Sequence, residues 1–374
     1  MLSLRGGVDG TVNRVHVRLS EESSIVPGND TLTTNVKSPS WDVAGYALAD
    51  YKLGRVTLSG GARFDYIRVP YKNLLDPTVD TSNIFKRLSP RGGISVEVAQ
   101  GASVYGSLGR SFRAPAILEL ACADSLAACP LPFALGDDPP LDPVIATTYE
   151  MGGNWVVGAA MLSASLYRTE VEHDIGFIQS ENAIFQGYFT NIGNTRREGA
   201  ELALQYFPSE RVSLYANYAY TRATYRTAAD IFSIRADSQF AASPLAGSNA
   251  IRVGSRIPSV PDHQVKAGTL VKLNRWLSLG LDGRYTGRQW MRGDEANQTR
   301  PLSGYFTANV RAGFSFGPWE VNAVLSNLFD SHRAVFGTFN QNRQTGNLER
   351  FLTPMNARSL KIVVSREFGG GGDD

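Results

Sequence analysis

Two arginines flank an aromatic side chain where one predicted strand meets a long polar segment. Arg110 and Arg113 bracket Phe112 at this point. Guanidinium groups form strong charge-assisted hydrogen bonds with anions, so the pair could contact a negatively charged ligand. The alternative, which we favour, is that both arginines pair with nearby carboxylates such as Glu119 or Glu150.

Two further polar segments place aromatic residues beside a cation. Trp290 and Arg292 open one of them, and Phe336, Phe339 and Arg343 lie in the last one. An aromatic face next to a cation can contact a catechol-type ligand or a planar metal chelate. The same residue types would also form an interfacial aromatic girdle, so the sequence leaves both interpretations open.

Both cysteines of the chain, Cys122 and Cys129, lie in one long polar segment. Such a pair is compatible with one disulfide in an oxidising compartment. A metal site is the alternative, but no histidine lies nearby, so the disulfide is favoured. Asp137 and Asp138 follow in the same proline-rich segment, and two carboxylates are too few for a calcium site. We therefore predict no metal site and expect a disulfide-closed extracellular cap.

No catalytic constellation is apparent in the sequence. The four histidines, His16, His173, His263 and His332, are far apart and show no metal-ligand spacing. Ser111 lacks the glycine context of a hydrolase nucleophile. His263 is better explained as a residue at the start of a strand. We therefore predict that the chain is not an enzyme and needs no cofactor.

Two kinds of connector alternate along the chain, and the segments between them must position these residues. Short turns are predicted at Leu53-Gly54, Gln100-Gly101, Val157-Gly158, Pro208-Ser209, Asn274-Arg275 and Gly317-Pro318. Long polar stretches are predicted at 20–40, 68–86, 113–143, 177–187, 226–258, 289–302 and 330–357. Each interval between them holds roughly ten or more residues of apolar and polar alternation, enough for a tilted strand to cross a bilayer. Tight turns on one side and long loops on the other are typical of an outer-membrane β-barrel.

The intervals are predicted to be strands with one apolar and one polar face. The polar face carries full charges in mid-strand, at Arg63, Asp65, Asp282, Arg284 and Arg311. Charges in mid-strand suit a wet lumen, and aromatic residues at the ends of the apolar face suit an interfacial girdle. A soluble β-sandwich also alternates and remains the alternative.

We predict an all-β, antiparallel transmembrane barrel sheet of about 14 strands. The predicted strands are 3–18, 41–52, 55–67, 87–98, 102–112, 144–156, 159–175, 188–206, 211–225, 260–273, 276–288, 303–316, 319–328 and 358–368. An even number places both termini on the short-turn side. Residues 1–20 could instead form a hairpin around Asp9-Gly10. Direct hydrogen bonds between the first and last strands would decide whether the barrel closes.

The composition agrees with this assignment. Hydrophobic residues make up 43% of the chain, charged residues only 19%, and the net charge is +2. Arginine and lysine are scattered, so a nucleic-acid partner is not expected. No apolar run reaches about 18 residues, so transmembrane helices are not expected. The first residues, MLSLRGGVDG, do not have the pattern of the signal peptide that an exported barrel needs, so either the barrel interpretation is wrong or the sequence is missing its start.

The last predicted strand carries the sharpest local pattern. Its apolar face holds Leu360, Ile362, Val364 and Phe368. A final strand that ends in phenylalanine resembles the C-terminal assembly signal of bacterial outer-membrane proteins, which implies the barrel-assembly machinery as a partner. The GGGGDD sequence at 369–374 is predicted to be a flexible tail.

Five stretches resemble the C-terminal part of TonB-dependent outer-membrane receptors. They are VYGSLGRSFRAPAILEL (104–120), YEMGGNW (149–155), NIGNTRREGAELAL (191–204), RIPSVPDHQVKAG (256–268) and LSNLFDSHRAVFGTFN (325–340). Each is weak alone, but all five occur in the order that the family shows. The resemblance implies the bacterial outer membrane as location and import of a ferric siderophore or related metal chelate as function.

The chain departs from the family pattern in two ways. The family barrel has 22 strands and an N-terminal plug, which couples it to TonB; this sequence has room for about 14 strands and shows no plug. We therefore interpret residues 1–368 as part of a receptor barrel in contact with lipid, with a metal chelate bound at the extracellular loops. A passive 14-strand pore for small solutes and a structural or adhesive barrel are the alternatives.

Overall fold

The structure is a computed structural model that describes residues 1–21, 31–120, 129–130, 141–179, 186–232, 248–341 and 348–368. In chain order its strands are β1 (Leu2–Glu21), β2 (Thr31–Leu53), β3 (Val56–Asn73), β4 (Thr81–Ala99), β5 (Ala102–Arg113), β6 (Cys129–Pro130), β7 (Val144–Val157), β8 (Ala160–Glu172), β9 (Ile175–Gln179), β10 (Gln186–Asn191), β11 (Thr195–Ser209), β12 (Val212–Tyr225), β13 (Ala229–Phe232), β14 (Ser248–Ile251), β15 (His263–Lys272), β16 (Leu277–Thr286), β17 (Tyr305–Phe316), β18 (Trp319–Ser326), β19 (Ala334–Gln341), β20 (Leu348–Pro354) and β21 (Ser359–Arg366). A 3-10 helix spans Pro77–Val79 and one short α-helix, α1, spans Ile117–Leu120. No described helix has the length and apolarity to span a membrane.

Fourteen strands form one antiparallel sheet, as the sequence predicted. Their order is β1-β2-β3-β4-β5-β7-β8-β11-β12-β15-β16-β17-β18-β21, so each pairs with its neighbours along the chain. The other seven strands form three small sheets within the long connections. Among the described residues, β1 pairs only with β2 and β21 only with β18, so the sheet is not closed.

The connections confirm the predicted asymmetry between the two ends of the sheet. At one end, neighbouring strands are joined by tight turns, in which Gly54, Gly101, Gly158 and Gly317 adopt positive φ. Only glycine enters that region without strain, which explains the glycines of these turns. The opposite end, called the loop end below, carries all the long connections and the small sheets.

Three predicted boundaries were wrong. The polar stretches at 20–40 and 68–86 were read as loops, yet β2 begins at Thr31, and β3 and β4 leave only 74–80 between them. The predicted strand 188–206 is divided between β10 and β11. At the loop end the inner face of these strands carries Val36, Val69 and Tyr71, which are buried, while the outer face becomes polar or basic. The apolar side chains therefore change face, and the alternation that identifies the rest of each strand is lost. The alternative hairpin at Asp9-Gly10 is also wrong, because β1 is one continuous strand.

The apolar face of the sheet is exposed. Leu4, Val8 and Val12 of β1 are 70%, 79% and 68% exposed, and Leu360 and Ile362 of β21 are 63% and 59% exposed. A soluble sandwich would bury such alternate positions against a second sheet. The sandwich alternative is therefore excluded, and the exposed face suits contact with lipid.

Ion pairs on the polar face hold the mid-strand charges. The Arg63 guanidinium lies 2.6 Å from Asp9 and 2.7 Å from Asp65, so it links β1 to β3. Arg311 and Asp282 pair more loosely across β17 and β16, at 3.9 Å. These pairs place the predicted charged residues on the face opposite the apolar one.

Tyrosine rings cover glycines at four direct cross-strand positions of the polar face. The pairs are Tyr46 with Gly7, Tyr105 with Gly152, Tyr167 with Gly199, and Tyr215 with Gly268. A Cβ atom added to any of these glycines would lie within 2.9 Å of the facing ring. Each tyrosine ring therefore occupies the space that a side chain at the facing position would need, which is a recognised way to stabilise glycine in a sheet.

Candidate functional site

The connection after β5 folds back onto the loop end of the sheet. Leu120 of α1 packs with Val69 and Phe85, and Ile117 packs against Val36 and Tyr71. These contacts form two of the three buried apolar clusters of the described residues. They place α1 against β2, β3 and β4 at the loop end.

Arg113 positions α1. Its guanidinium lies 2.6 Å from Glu119, whose carboxylate also accepts a hydrogen bond from the backbone N–H of Ala116 at 2.7 Å. The predicted structural pairing of Arg113 with Glu119 is confirmed.

Arg110 lies on the other face of the sheet. Its position alternates with Tyr105 and coincides with that of the exposed Leu108, and its guanidinium lies 3.4 Å from Glu172. The structural pairings proposed for Arg110, with Glu119 or Glu150, are therefore not the ones observed. A contact between Arg110 and a ligand inside the mouth would require a different orientation of this strand.

The connection between β16 and β17 joins the β19–β20 hairpin. The Arg292 backbone N–H donates to Gly337 O at 3.1 Å, and the Phe339 N–H donates to Arg292 O at 2.8 Å. The fully buried Met291 packs beneath Gly337, and the Gln289 side chain donates to Val335 O. These contacts hold residues 289–293 against β19. We call the four predicted residues on these two segments, Trp290, Arg292, Phe336 and Phe339, the mouth surface.

Other predicted residues fall outside the described part of the chain. Arg343 and Cys122 lie there, so the third member of the last aromatic cluster and the disulfide with Cys129 stay predictions. Residues 369–374, predicted as a tail, lie there as well. Among the described residues, no three His, Cys, Asp or Glu side chains come together as a metal site.

Asp262 connects the segment before β15 to the start of the β16–β17 connection. Its carboxylate lies 2.6 Å from Arg256 and 3.1 Å from Arg288, and only 15% of its side chain is exposed. Asn297 reinforces this contact because its side chain donates to Arg256 O and accepts from the Arg256 backbone N–H. The sequence analysis missed both roles, although Asp262 lies within one of the stretches that carried the resemblance.

Asn327 is the third residue whose role was missed. It is 6% exposed, and its side chain donates to Ser331 O and Asn356 O at 3.0 Å and accepts from the Ser331 N–H. Asp330 accepts from the backbone N–H of Arg358. The Asn-Leu-Phe-Asp stretch thus ties the start of the last long connection to the start of β21. His263, by contrast, begins β15, as its strand-end interpretation predicted.

Glu295 makes the β16–β17 connection sensitive to pH. Burial raises the pKa of its carboxyl above the usual 4.5, although the Gly293 N–H donates to it and Arg292 lies nearby. A raised folded-state pKa favours the protonated form, so this contribution to stability is present at low pH and is lost as pH rises through the folded pKa.

We expect Glu295→Gln to increase the hydrogen-exchange protection of residues 291–302 at pH 7. In the unmodified protein this protection should fall as pH rises through the folded pKa of Glu295, and in the variant it should not fall. Glu320→Gln, at an exposed position near a tight turn, should change neither; equal pH dependence in both variants would contradict this assignment.

Comparison with known proteins agrees with the geometry. A sequence model described as TonB dependent receptor-like, beta-barrel matches residues 6–328. The ferric-catecholate import receptor Fiu from Escherichia coli K12 is 18% identical, with a TM-score of 0.67 over 97% of this chain and 51% of its own. The ferric yersiniabactin uptake receptor FyuA from Yersinia pestis is 16% identical, with a TM-score of 0.71 over 98% and 51%. The copper transporter OprC is 17% identical, with a TM-score of 0.72 over 97% and 53%.

A curved antiparallel sheet with an exposed apolar face, a charged inner face and long connections at one end defines a transmembrane β-barrel sheet. The chain belongs to the TonB-dependent receptor β-barrel family. It spans about half the length of the solved structures that it matches. Members of this family are receptors and transporters of the Gram-negative outer membrane.

Proposed function

We propose that the protein lies in the outer membrane and imports a ferric siderophore or a related metal chelate. Membership of the family supports the receptor role, and the solved relatives are described as importers of ferric chelates or copper. Residues 1–368 would form one barrel domain within this receptor. In this family the plug domain carries the contact with TonB, so TonB dependence is proposed for the whole receptor and not for the barrel sheet alone.

The mouth surface is the observation that carries this proposal within the chain itself. Arg292 is exposed, Phe336 is 37% exposed, and Trp290 and Phe339 are half-buried. Backbone hydrogen bonds hold Arg292 and Phe339 together, so a cation and an aromatic residue lie next to each other on a fixed framework. Aromatic faces and a guanidinium suit an anionic, aromatic chelate.

Uptake should first identify the chelate. Gram-negative cells that lack their own ferric receptors and express the protein are expected to take up radioiron from at least one of catecholate, hydroxamate or carboxylate chelates, only when TonB is present. With that chelate, Arg292→Gln should raise the Kd about tenfold, the size expected for one charge-assisted contact. Binding can be followed by quenching of protein fluorescence in detergent.

Arg110→Gln is the matched control because Arg110 is an exposed arginine on the other face of the sheet. It should bind the chelate as the unmodified protein does. Equal losses of affinity in both variants would show that the mouth surface does not bind the chelate. Steady conductance in planar bilayers without TonB-dependent uptake would favour the passive pore instead.

The C-terminal strand supports the proposal of a second partner, the barrel-assembly machinery. Leu360, Ile362 and Val364 are 63%, 59% and 57% exposed on one face of β21, and Phe368 is 79% exposed. The Arg366 guanidinium lies over the rings of Trp319 and Phe368, at 5.2 and 4.7 Å. This apolar strand, with its aromatic end at the turn side, supports recognition by the barrel-assembly machinery and subsequent contact with outer-membrane lipid.

A further inference from the structure

The outer face of β1–β4 changes character abruptly at the loop end. Every outward position of 2–18, 37–53, 56–72 and 82–98 is apolar, small, polar uncharged or basic, and none carries Asp or Glu. The basic residues all gather at the loop end of these strands. They form the basic patch, which consists of Arg14, Arg18, Lys37, Arg68, Lys72 and Lys86.

The strand register forces like charges together in this patch. Lys37 lies directly opposite Lys72 across β2 and β3, and His16 lies directly opposite Lys37 across β1 and β2. Both lysines are exposed. Like charges at directly opposed positions destabilise a sheet, so an anion bound between them would relieve the repulsion.

Aromatic residues mark the lower border of the basic patch. The Trp41 and Tyr66 rings stack with centroids 5.3 Å apart, and the Lys86 Nζ lies 5.3 Å from the Tyr66 ring centroid. Arg68 lies directly opposite Trp41 in the register. Below these rings the same face carries the exposed Val43, Leu58 and Phe64, among others. Aromatic belts lie at the level of lipid headgroups, so the patch is placed at that level and not inside the hydrocarbon layer.

The outward charges of β8 and β11 are paired with opposite charges. Arg168 pairs with Glu198 at 3.0 Å, and Arg196 pairs with Glu170 at 2.7 Å. These residues occupy the outer faces of β8 and β11 and face the same surroundings as the basic patch. The unbalanced positive charge of β1–β4 is therefore not shared by β8 and β11.

We propose that the basic patch binds the phosphate groups of a phosphorylated glycolipid of the outer leaflet, whose acyl chains lie along the apolar face below. Phosphate oxygens accept charge-assisted hydrogen bonds from lysine and arginine, and clusters of four or more such residues beside a lipid layer are typical of binding to anionic headgroups. The proposal rests on the outer-membrane location proposed above. It assigns a lipid site to the outer face of the sheet, and this site is separate from the one proposed for the chelate.

The test uses the protein purified from outer membranes and reconstituted into phosphatidylcholine vesicles with or without bis-phosphorylated lipid A. Quenching of tryptophan fluorescence by brominated lipid A, in competition with unlabelled lipid, reports occupancy beside Trp41 when the quenching of the variant Trp41→Phe is subtracted. The triple variant Lys37→Gln, Lys72→Gln, Lys86→Gln is expected to lose about a hundredfold in affinity for lipid A, with a weaker dependence on salt. Lipid A from which both phosphates have been removed should bind the unmodified protein as weakly as the variant binds the intact lipid.

Arg168→Gln with Glu198→Gln is the matched control, because it removes a balanced pair from the same rim. It should retain lipid A affinity within about twofold. Unchanged affinity in the triple variant, or equal affinity for phosphorylated and dephosphorylated lipid, would overturn the proposal. Failure of the unmodified protein to enter vesicles of either composition would instead contradict the outer-membrane location. The triple variant should still bind the chelate that supports uptake, because the two sites are separate.

Discussion

Replacing Asn327 with alanine is expected to lower the free energy of unfolding by roughly 3 kcal/mol or more. The side chain is buried and makes hydrogen bonds to Ser331 and to Asn356 O, all near 3.0 Å. Alanine would leave these backbone groups without partners in a buried site, and each such group costs about 1–3 kcal/mol. Asn327 also has φ of 50°, a conformation that asparagine tolerates better than alanine.

The loss should appear in assembly as well as in stability. Asn327 and Asp330 tie the last long connection to the residues just before β21, so the variant should delay pairing of β21 with β18. Urea unfolding in detergent and the heat-dependent shift in gel mobility measure the two effects. Asn322→Ala is the control, because Asn322 lies in β18, the partner strand of β21, and its side chain makes an exposed hydrogen bond to Glu320 of the same strand. Equal midpoints for the two variants would show that Asn327 does not hold this junction.

Gly199→Val is expected to destabilise the sheet by about 3 kcal/mol or to prevent folding. A Cβ at this position would collide with the backbone carbonyl of Tyr220 and would lie 2.7 Å from the Tyr167 hydroxyl. The carbonyl belongs to the strand ladder and cannot move without breaking it. Displacement of Tyr167 would also break its hydrogen bond to Thr221, which is 3.1 Å long.

Gly45→Val provides the matched control for this steric prediction. Gly45 also lies within a strand of the sheet, but an added Cβ there would have no neighbour within 4 Å. The control should shift the urea midpoint little, because valine suits a strand and meets only open space. If both valine variants fold equally well, the covering of Gly199 by Tyr167 is not a structural requirement. A fold that survives only in the control would support the same role for Gly7, Gly152 and Gly268.

Alternation along the chain was sufficient to predict the main sheet. Residues that alternate in a strand must point to opposite faces, so the apolar face of β21 and the charged positions Arg63 and Asp282 could be assigned without a structure. The same rule places Arg110 on the face of Leu108, an inference that was open to sequence reasoning and was missed. The rule failed at 31–40 and 69–73, where the buried side chains Val36, Val69 and Tyr71 lie on the inner face and the outer face is polar or basic, so the apolar side changes.

Only the tertiary structure decided which residues from different strands and loops meet. The contact of Arg292 with Gly337 and Phe339, and the role of Asn327 at the start of β21, depend on connections of variable path that local pattern does not encode. The opposition of Lys37 and Lys72 depends on register, which shifts every facing pair if it changes by one residue. Local sequence determines the faces of each strand because the backbone alternates by geometry. Register and loop contacts are set by the sum of many distant interactions, so they appear only when the chain is folded.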